Sequence, residues 1–123
     1  MVIDDNEIDR YVANHTLKKN CFAGEIVIKD SAKSALDYLR SLEGTPLELP
    51  TIIFLDIRMP EMDGFGFLEE FDKLPLVIQD NCKIMMLSTS LDAGDHERAR
   101  NNPHVDRFLN KPIDKEKLHS IAV

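Results

Sequence analysis

The stretch Thr51-Ile52-Ile53-Phe54-Leu55-Asp56 decides the fold. It is apolar at nearly every position, with no alternation, and it stops abruptly at an acid. Such a run suits a strand buried on both faces, the central strand of a parallel sheet covered by helices. Downstream, Met59-Pro60-Glu61-Met62-Asp63-Gly64 turns into a helix carrying Phe65, Leu68 and Phe71. Gly66 within that helix costs about 1 kcal/mol relative to alanine. A second buried run, Lys83-Ile84-Met85-Met86-Leu87, ends at Ser88-Thr89-Ser90. Residues 91–102 are helical in propensity but carry only Ala93 and Ala99 as internal apolar anchors, and Pro103 closes them. A last strand over 105–109 leads to Asn110-Lys111-Pro112, where the peptide before proline is open to the cis form, and a helix runs from Asp114 to the end.

Upstream, the stub Met1-Val2-Ile3 runs into Asp4-Asp5-Asn6 and is short enough to suggest trimmed edges. Ile8, Tyr11, Val12 and His15 form a helical stripe, Gly24 ends that helix, and 25–29 reads as a β-branched strand. Asp30 and Ser31 offer N-caps to the cleanest amphipathic segment, with Ala32, Ala35, Leu36, Leu39 and Leu42 on one face. Gly44 through Pro50 is a loop by its breakers. Strand and helix thus alternate five times: one α/β domain over 1–123, a doubly wound five-stranded parallel sheet with helices on both faces and no linker or repeat.

Composition bounds the function. Hydrophobic residues make up 43% of the 123 and charged residues 30%, which suits one domain with a real core and a solvated surface. Fifteen basic residues against 22 acids give a net charge of -7, which disfavours nucleic acid and anionic lipid as partners of the whole surface. No apolar run is long enough to span a bilayer, and the start lacks the pattern of a signal peptide. Cys21 and Cys82 lie far apart and in no metal-ligand spacing, so they read as thiols of a reduced compartment.

In an open parallel sheet, ligands bind beyond the carboxyl ends of the strands, where the strand order reverses. The first strand delivers Asp4 and Asp5 there, the third Asp56, the fourth Ser88 and Thr89, and the fifth Lys111. The second delivers Lys29-Asp30-Ser31, which looks like capping. Three adjacent carboxylates repel unless a divalent cation neutralises them, and an all-oxygen set suits Mg²⁺. A lysine opposite them is a point charge for a phosphoryl oxygen, and a carboxylate can itself form an acyl phosphate. Each residue alone has a plainer reading: acids at a helix N-terminus, an Asx-turn, a cap, an ordinary strand exit. Their joint placement at the correct strand ends favours a site.

The pieces Val2-Ile3-Asp4-Asp5-Asn6, Ile53-Phe54-Leu55-Asp56-Ile57-Arg58-Met59-Pro60, Met62-Asp63-Gly64, Leu87-Ser88-Thr89 and Phe108-Leu109-Asn110-Lys111-Pro112 resemble a bacterial response-regulator receiver domain of the chemotaxis-regulator type. Their intervals fit as well, and the resemblance covers essentially the whole chain. It implies a flavodoxin-like (βα)5 fold and a cytoplasmic phosphorelay protein. Asp56 would accept a phosphoryl group from a phosphohistidine on a sensor histidine kinase or phosphotransfer protein. Asp5, Asp56 and the Arg58 backbone carbonyl would ligate Mg²⁺, or Mn²⁺ in its place, with Asp4 reaching it through water. Lys111 would pair with the phosphoryl group, Ser88 would hydrogen-bond to it, and the backbone N–H groups of Arg58 and Thr89 would complete the cradle. Such domains catalyse their own phosphorylation and dephosphorylation and are not enzymes on a separate substrate.

Two positions depart from the commonest pattern. Ser88 replaces a frequent threonine and keeps the hydroxyl. Phe108 occupies an aromatic switch position that is often tyrosine, so it can rotate inward but cannot make the phenolic hydrogen bond; its plainer role is a core aromatic. Arg58 and Ser90 would flank the attacking water and tune the lifetime of the phosphoryl group. The implied switch draws Ser88 toward Asp56, frees space for Phe108 and moves the poorly anchored 91–102 segment.

The output would be a protein partner outside this chain, without direct contact to nucleic acid or membrane, and a phosphorylation-dependent dimer is compatible with it. Stand-alone receiver and part of a larger protein both stay open. Among rivals, a haloacid-dehalogenase-type phosphatase needs Asp-x-Asp, and Arg58 stands where its second acid would be. A flavodoxin-like cofactor binder needs a phosphate loop after the first strand, where acids stand instead. A degenerate receiver acting as a docking scaffold would not need its phosphorylation residues intact, as they are here. His15, His96, His104 and His119 are scattered and form no phosphotransfer motif.

Overall fold

A computed structural model describes residues 1–123 except 21, 23, 90–92 and 122–123. Its strands are β1 (Val2–Ile3), β2 (Ile28–Lys29), β3 (Ile52–Asp56), β4 (Lys83–Ser88) and β5 (Val105–Asn110). All pair in parallel, in the order β2-β1-β3-β4-β5. The helices are α1 (Glu7–Lys19), α2 (Ala32–Ser41), α3 (Gly64–Phe71), α4 (Leu76–Asn81), α5 (Ala93–Asn101) and α6 (Lys115–Ile121).

The apolar run of β3 is continuous because both its faces are covered. Ile53 and Leu55 enter one core with α2, α3 and Ala99 of α5. Phe54, between them, enters a second core with Ala13 and Leu17 of α1 and Leu118 and Ile121 of α6. The expected stripe of α2 is buried at Ala32, Ala35, Leu36 and Leu39, and Ser31 caps the helix by accepting from the Ser34 N–H.

The structure departs from the sequence reading in four places. The Ile8-Tyr11-Val12-His15 stripe is helical but faces solvent, with Ile8 72% and Tyr11 71% exposed, while α1 packs through Ala13 and Leu17 and extends to Lys19. The 25–29 strand shrinks to Ile28–Lys29, because β2 is an edge strand whose only ladder partner, β1, is itself two residues long. An extra helix, α4, follows Pro75; it is six residues long and buries only Ile78, too little for a visible period. The Gln79 side chain donates to the carbonyls of Asp72 and Leu74 and so ties α4 to the end of α3. In α5, Ala99 is buried as expected, but Ala93 is exposed and the second buried residue is Asp95. Cys82 is buried and free, its thiol pushed up to about 11 by burial; Cys21 and Ser90 lie outside the described residues. No helix among the described residues is long and apolar enough to cross a membrane.

Candidate functional site

The strand order reverses between β1 and β3, which are neighbours in the sheet while the chain leaves them in opposite directions. Ligand sites of open parallel sheets form at that point. Asp4 follows β1 directly and Asp56 is the last residue of β3. Both are buried, at 4% and 6% exposure, while Asp5 is exposed. The Asp4 carboxylate is fixed by the Asn6 N–H at 2.9 Å, and Asn6 in turn caps α1 by accepting from the Asp9 N–H.

Lys111 is positioned by the other half of the sheet. Ser88 ends β4, buried at 2% exposure, and is paired in register with Asn110. The Lys111 N–H donates to the Ser88 carbonyl at 3.0 Å, carrying the ladder one residue past β5, and the Lys111–Pro112 peptide is cis. The Lys111 ammonium then sits 2.7 Å from Asp4, 2.9 Å from Asp9 and 3.1 Å from Asp56.

Asp63 and Gly64 shape the loop after Asp56. The Asp63 side chain caps α3 by accepting from the Gly66 N–H. Gly64 donates to the Ile57 carbonyl at 2.8 Å, and a Cβ there would stand 2.6 Å from the Asp56 carbonyl oxygen. Only glycine lets the helix start so close to the acid.

The electrostatics follow from this crowding. Burial raises the Asp56 carboxyl to about 6, helped by the charge of Asp4 and opposed by Lys111. Burial would depress the Lys111 ammonium, but its hydrogen bonds to Asp4 and Asp9 and the charge of Asp56 outweigh that and raise it above the ordinary lysine value. One carboxylate oxygen each from Asp4, Asp5 and Asp56 falls within 4.8 Å of the others. That set is all hard oxygen, partly open to solvent through Asp5, and fits a small divalent cation that keeps some of its water.

The remaining expected residues lie around this pocket. Thr89 is exposed and, with Asp4, Asp9 and Lys111, lines a cavity of about 190 Å³. The Arg58 side chain turns to Asp95 of α5, donating at 2.7 Å. Phe108 is half-buried on β5 with its ring 4.1 Å from that of His96. Two residues escaped the sequence reading. Asp9 is a first-turn acid of α1 and Asp95 one of α5, a placement that is favoured without any site. Neither carries a local signal, because each acquires its partner only through tertiary packing.

A family model for the response regulator receiver domain matches residues 1–123. The chain is 31% identical over 118 residues to the probable methanogenesis regulatory protein FilR2 of Methanothrix harundinacea (strain 6Ac), covering 96% of this chain and 74% of that protein. It is 32% identical over 122 residues to histidine kinase CKI1 of Arabidopsis thaliana, covering 94% of this chain but 11% of the kinase. Among solved structures, a response regulator receiver protein from Dyadobacter fermentans DSM 18053 superposes with a TM-score of 0.87 at 30% identity, over 98% of this chain and 91% of the other. A two component response regulator from Cytophaga hutchinsonii gives a TM-score of 0.90 at 26% identity, over 98% and 90%. Fold, site position and whole-length similarity agree, and the chain belongs to the response regulator receiver domain family.

Proposed function

We propose that this domain is the conformational switch of a phosphorelay, with Asp56 as its phosphoryl acceptor. The observation that carries the reading is the pocket itself: a buried carboxylate at the end of β3, 3.1 Å from the Lys111 ammonium, with Asp4 and Asp5 beside it. In the transfer, an Asp56 oxygen attacks the phosphorus of a phosphohistidine, a P–O bond forms, the P–N bond breaks and the imidazole leaves. Such a transfer needs little beyond positioning and charge neutralisation.

Asp56 must be ionised to attack, which its value of about 6 allows at neutral pH. Lys111 turns from the acids to a phosphoryl oxygen, and the backbone N–H groups of Arg58 and Thr89 with the Ser88 hydroxyl hold the others. Asp5, Asp56 and the Arg58 carbonyl, with Asp4 through water, would hold Mg²⁺ or Mn²⁺, which when bound offsets the charge of the acids and the phosphoryl oxygens. The domain acts on its own carboxylate and not on a separate substrate.

The donor is a sensor histidine kinase or phosphotransfer protein, in keeping with the histidine kinases among the relatives. The exposed Ile8 and Tyr11 of α1 give it an apolar seat on a helix that also supplies Asp9 to the pocket. The acidic surface favours a protein as the downstream partner.

The test is incubation with Mg²⁺ and acetyl phosphate followed by intact mass. Wild type gains one phosphoryl group and Asp56→Asn gains none. A wild type that gains none transfers the domain to the docking-scaffold reading.

A further inference from the structure

Apart from the pocket acids Asp4 and Asp56, Asp95 is the buried carboxylate among the described residues, its side chain 8% exposed. It lies in the first turn of α5 and accepts from the Arg58 guanidinium at 2.7 Å. Arg58 is two residues past Asp56 on the loop after β3, and its side chain is 66% exposed. This ion pair therefore joins the acceptor loop to α5. The helix has little else of apolar character to hold it, since Ala99 is its one buried apolar residue. Arg98 lies 3.9 Å over the Phe65 ring of α3, and the His96 ring meets that of Phe108 of β5 at a tilt of 36°.

We infer that the Arg58 side chain is a phosphoryl-binding group held in reserve by Asp95, so that phosphorylation of Asp56 takes the guanidinium from Asp95 and releases α5. The inference rests on Asp56 being the acceptor. A phosphoryl group carries about -1.5 to -2 charges and offers the bidentate oxygen geometry that guanidinium prefers. Asp95 offers a single negative charge. Arg58 is exposed and long, so it swings at little cost in packing. Asp95 is buried and cannot follow. Loss of the Arg58 charge makes burial of the Asp95 carboxylate less favourable, and the element that can yield is α5, which buries one apolar residue. Coupling of this kind is reciprocal: weakening the Arg58–Asp95 pair must favour phosphoryl binding by the same factor that phosphoryl binding weakens the pair.

Beryllofluoride with Mg²⁺ serves as the phosphoryl mimic, in calorimetric titrations and in amide exchange of residues 93–101. Asp95→Asn, which keeps the side chain's size and a hydrogen-bonding oxygen, should bind it about 5-fold tighter or more, a typical coupling. Arg58→Gln should bind it more weakly than wild type, and adding Asp95→Asn to Arg58→Gln should change nothing further. Exchange over 93–101 should rise in wild type on adding the mimic, and should already be raised in Asp95→Asn without it. If wild type binds the mimic but Asp95→Asn shifts affinity equally in both backgrounds, or exchange over 93–101 does not respond, the pair is a static brace and the inference falls alone. If wild type neither binds the mimic nor takes up phosphoryl from acetyl phosphate, the acceptor reading falls and this inference with it.

Discussion

The ammonium of Lys111 lies closer to Asp4, at 2.7 Å, than to Asp56, at 3.1 Å. The lysine is thus shared before any phosphoryl group arrives. One positive charge faces Asp4, Asp9 and Asp56 together, with Asp5 at the rim. The pocket carries a net negative charge that a bound cation would relieve, and the predictions below turn on that imbalance.

Mg²⁺ should therefore stabilise the fold. Binding to the folded state alone adds about 2.7 kcal/mol when the ion is at 100 times its dissociation constant. Asp5→Asn should lose most of that gain, yet change the metal-free protein by no more than about 0.5 kcal/mol, because Asp5 is exposed. Thermal unfolding in Mg²⁺ and in a chelator, for both proteins, checks this. An equal gain in the two would remove Asp5 from the ligand set.

The metal-free protein should also lose stability as pH rises through the acid range. The folded Asp56 carboxyl stands at about 6, above its ordinary value of 3.8. Between those values the folded state binds the extra proton, so unfolding becomes easier with rising pH. The total is on the order of 2–3 kcal/mol, complete only about one pH unit above the folded value. Other acids titrate in the same window, so the informative quantity is wild type minus Asp56→Asn, from urea unfolding in chelator at pH 4–7. Asp56→Asn should be the more stable at pH 7, and the difference should close toward pH 4. A difference that does not vary with pH would contradict the strained carboxylate.

Much of this site was legible because strand ends carry it. A continuous apolar run can be buried on both faces only in the middle of a covered sheet, and Asp56 ends that run. Asp4, Ser88 and Lys111 take their places from the same periodic logic. Asp95 and Asp9 were not legible, since an acid in the first turn of a helix reads as solvated until its tertiary partner is known. The α1 stripe misled about burial for a related reason: periodicity reports that residues share a face, not which way the face points. α4 was missed because six residues span less than two helical turns.

Lys111→Met should act in the opposite direction to Asp56→Asn, although both remove one charge from one pocket. It leaves Asp4 and Asp56 buried without their cation. Breaking a buried pair from one side typically costs about 3–5 kcal/mol. Urea unfolding in chelator at pH 7 should show that loss, and Mg²⁺ should recover a larger share of stability in this variant than in wild type. If both substitutions destabilise alike, packing and not charge governs the pocket.

Two glycines of α3 should respond differently to alanine. At Gly64 the new Cβ would meet the Asp56 carbonyl oxygen at 2.6 Å and the Ile57 Cα at 3.0 Å, both backbone atoms that no rotamer change can move. The start of α3 must then withdraw from the end of β3, at a cost of about 1–3 kcal/mol. Since the displaced carbonyl belongs to Asp56, labelling by acetyl phosphate should slow as well. At Gly66 the nearest atom, at 2.9 Å, is the Met62 Cγ, part of a flexible side chain that can turn aside. Alanine is favoured there by about 1 kcal/mol of helix propensity. Gly66→Ala should therefore be neutral to stabilising, with labelling unchanged. Equal losses in the two variants would mean that the close approach at Gly64 is not what holds the acceptor loop in place.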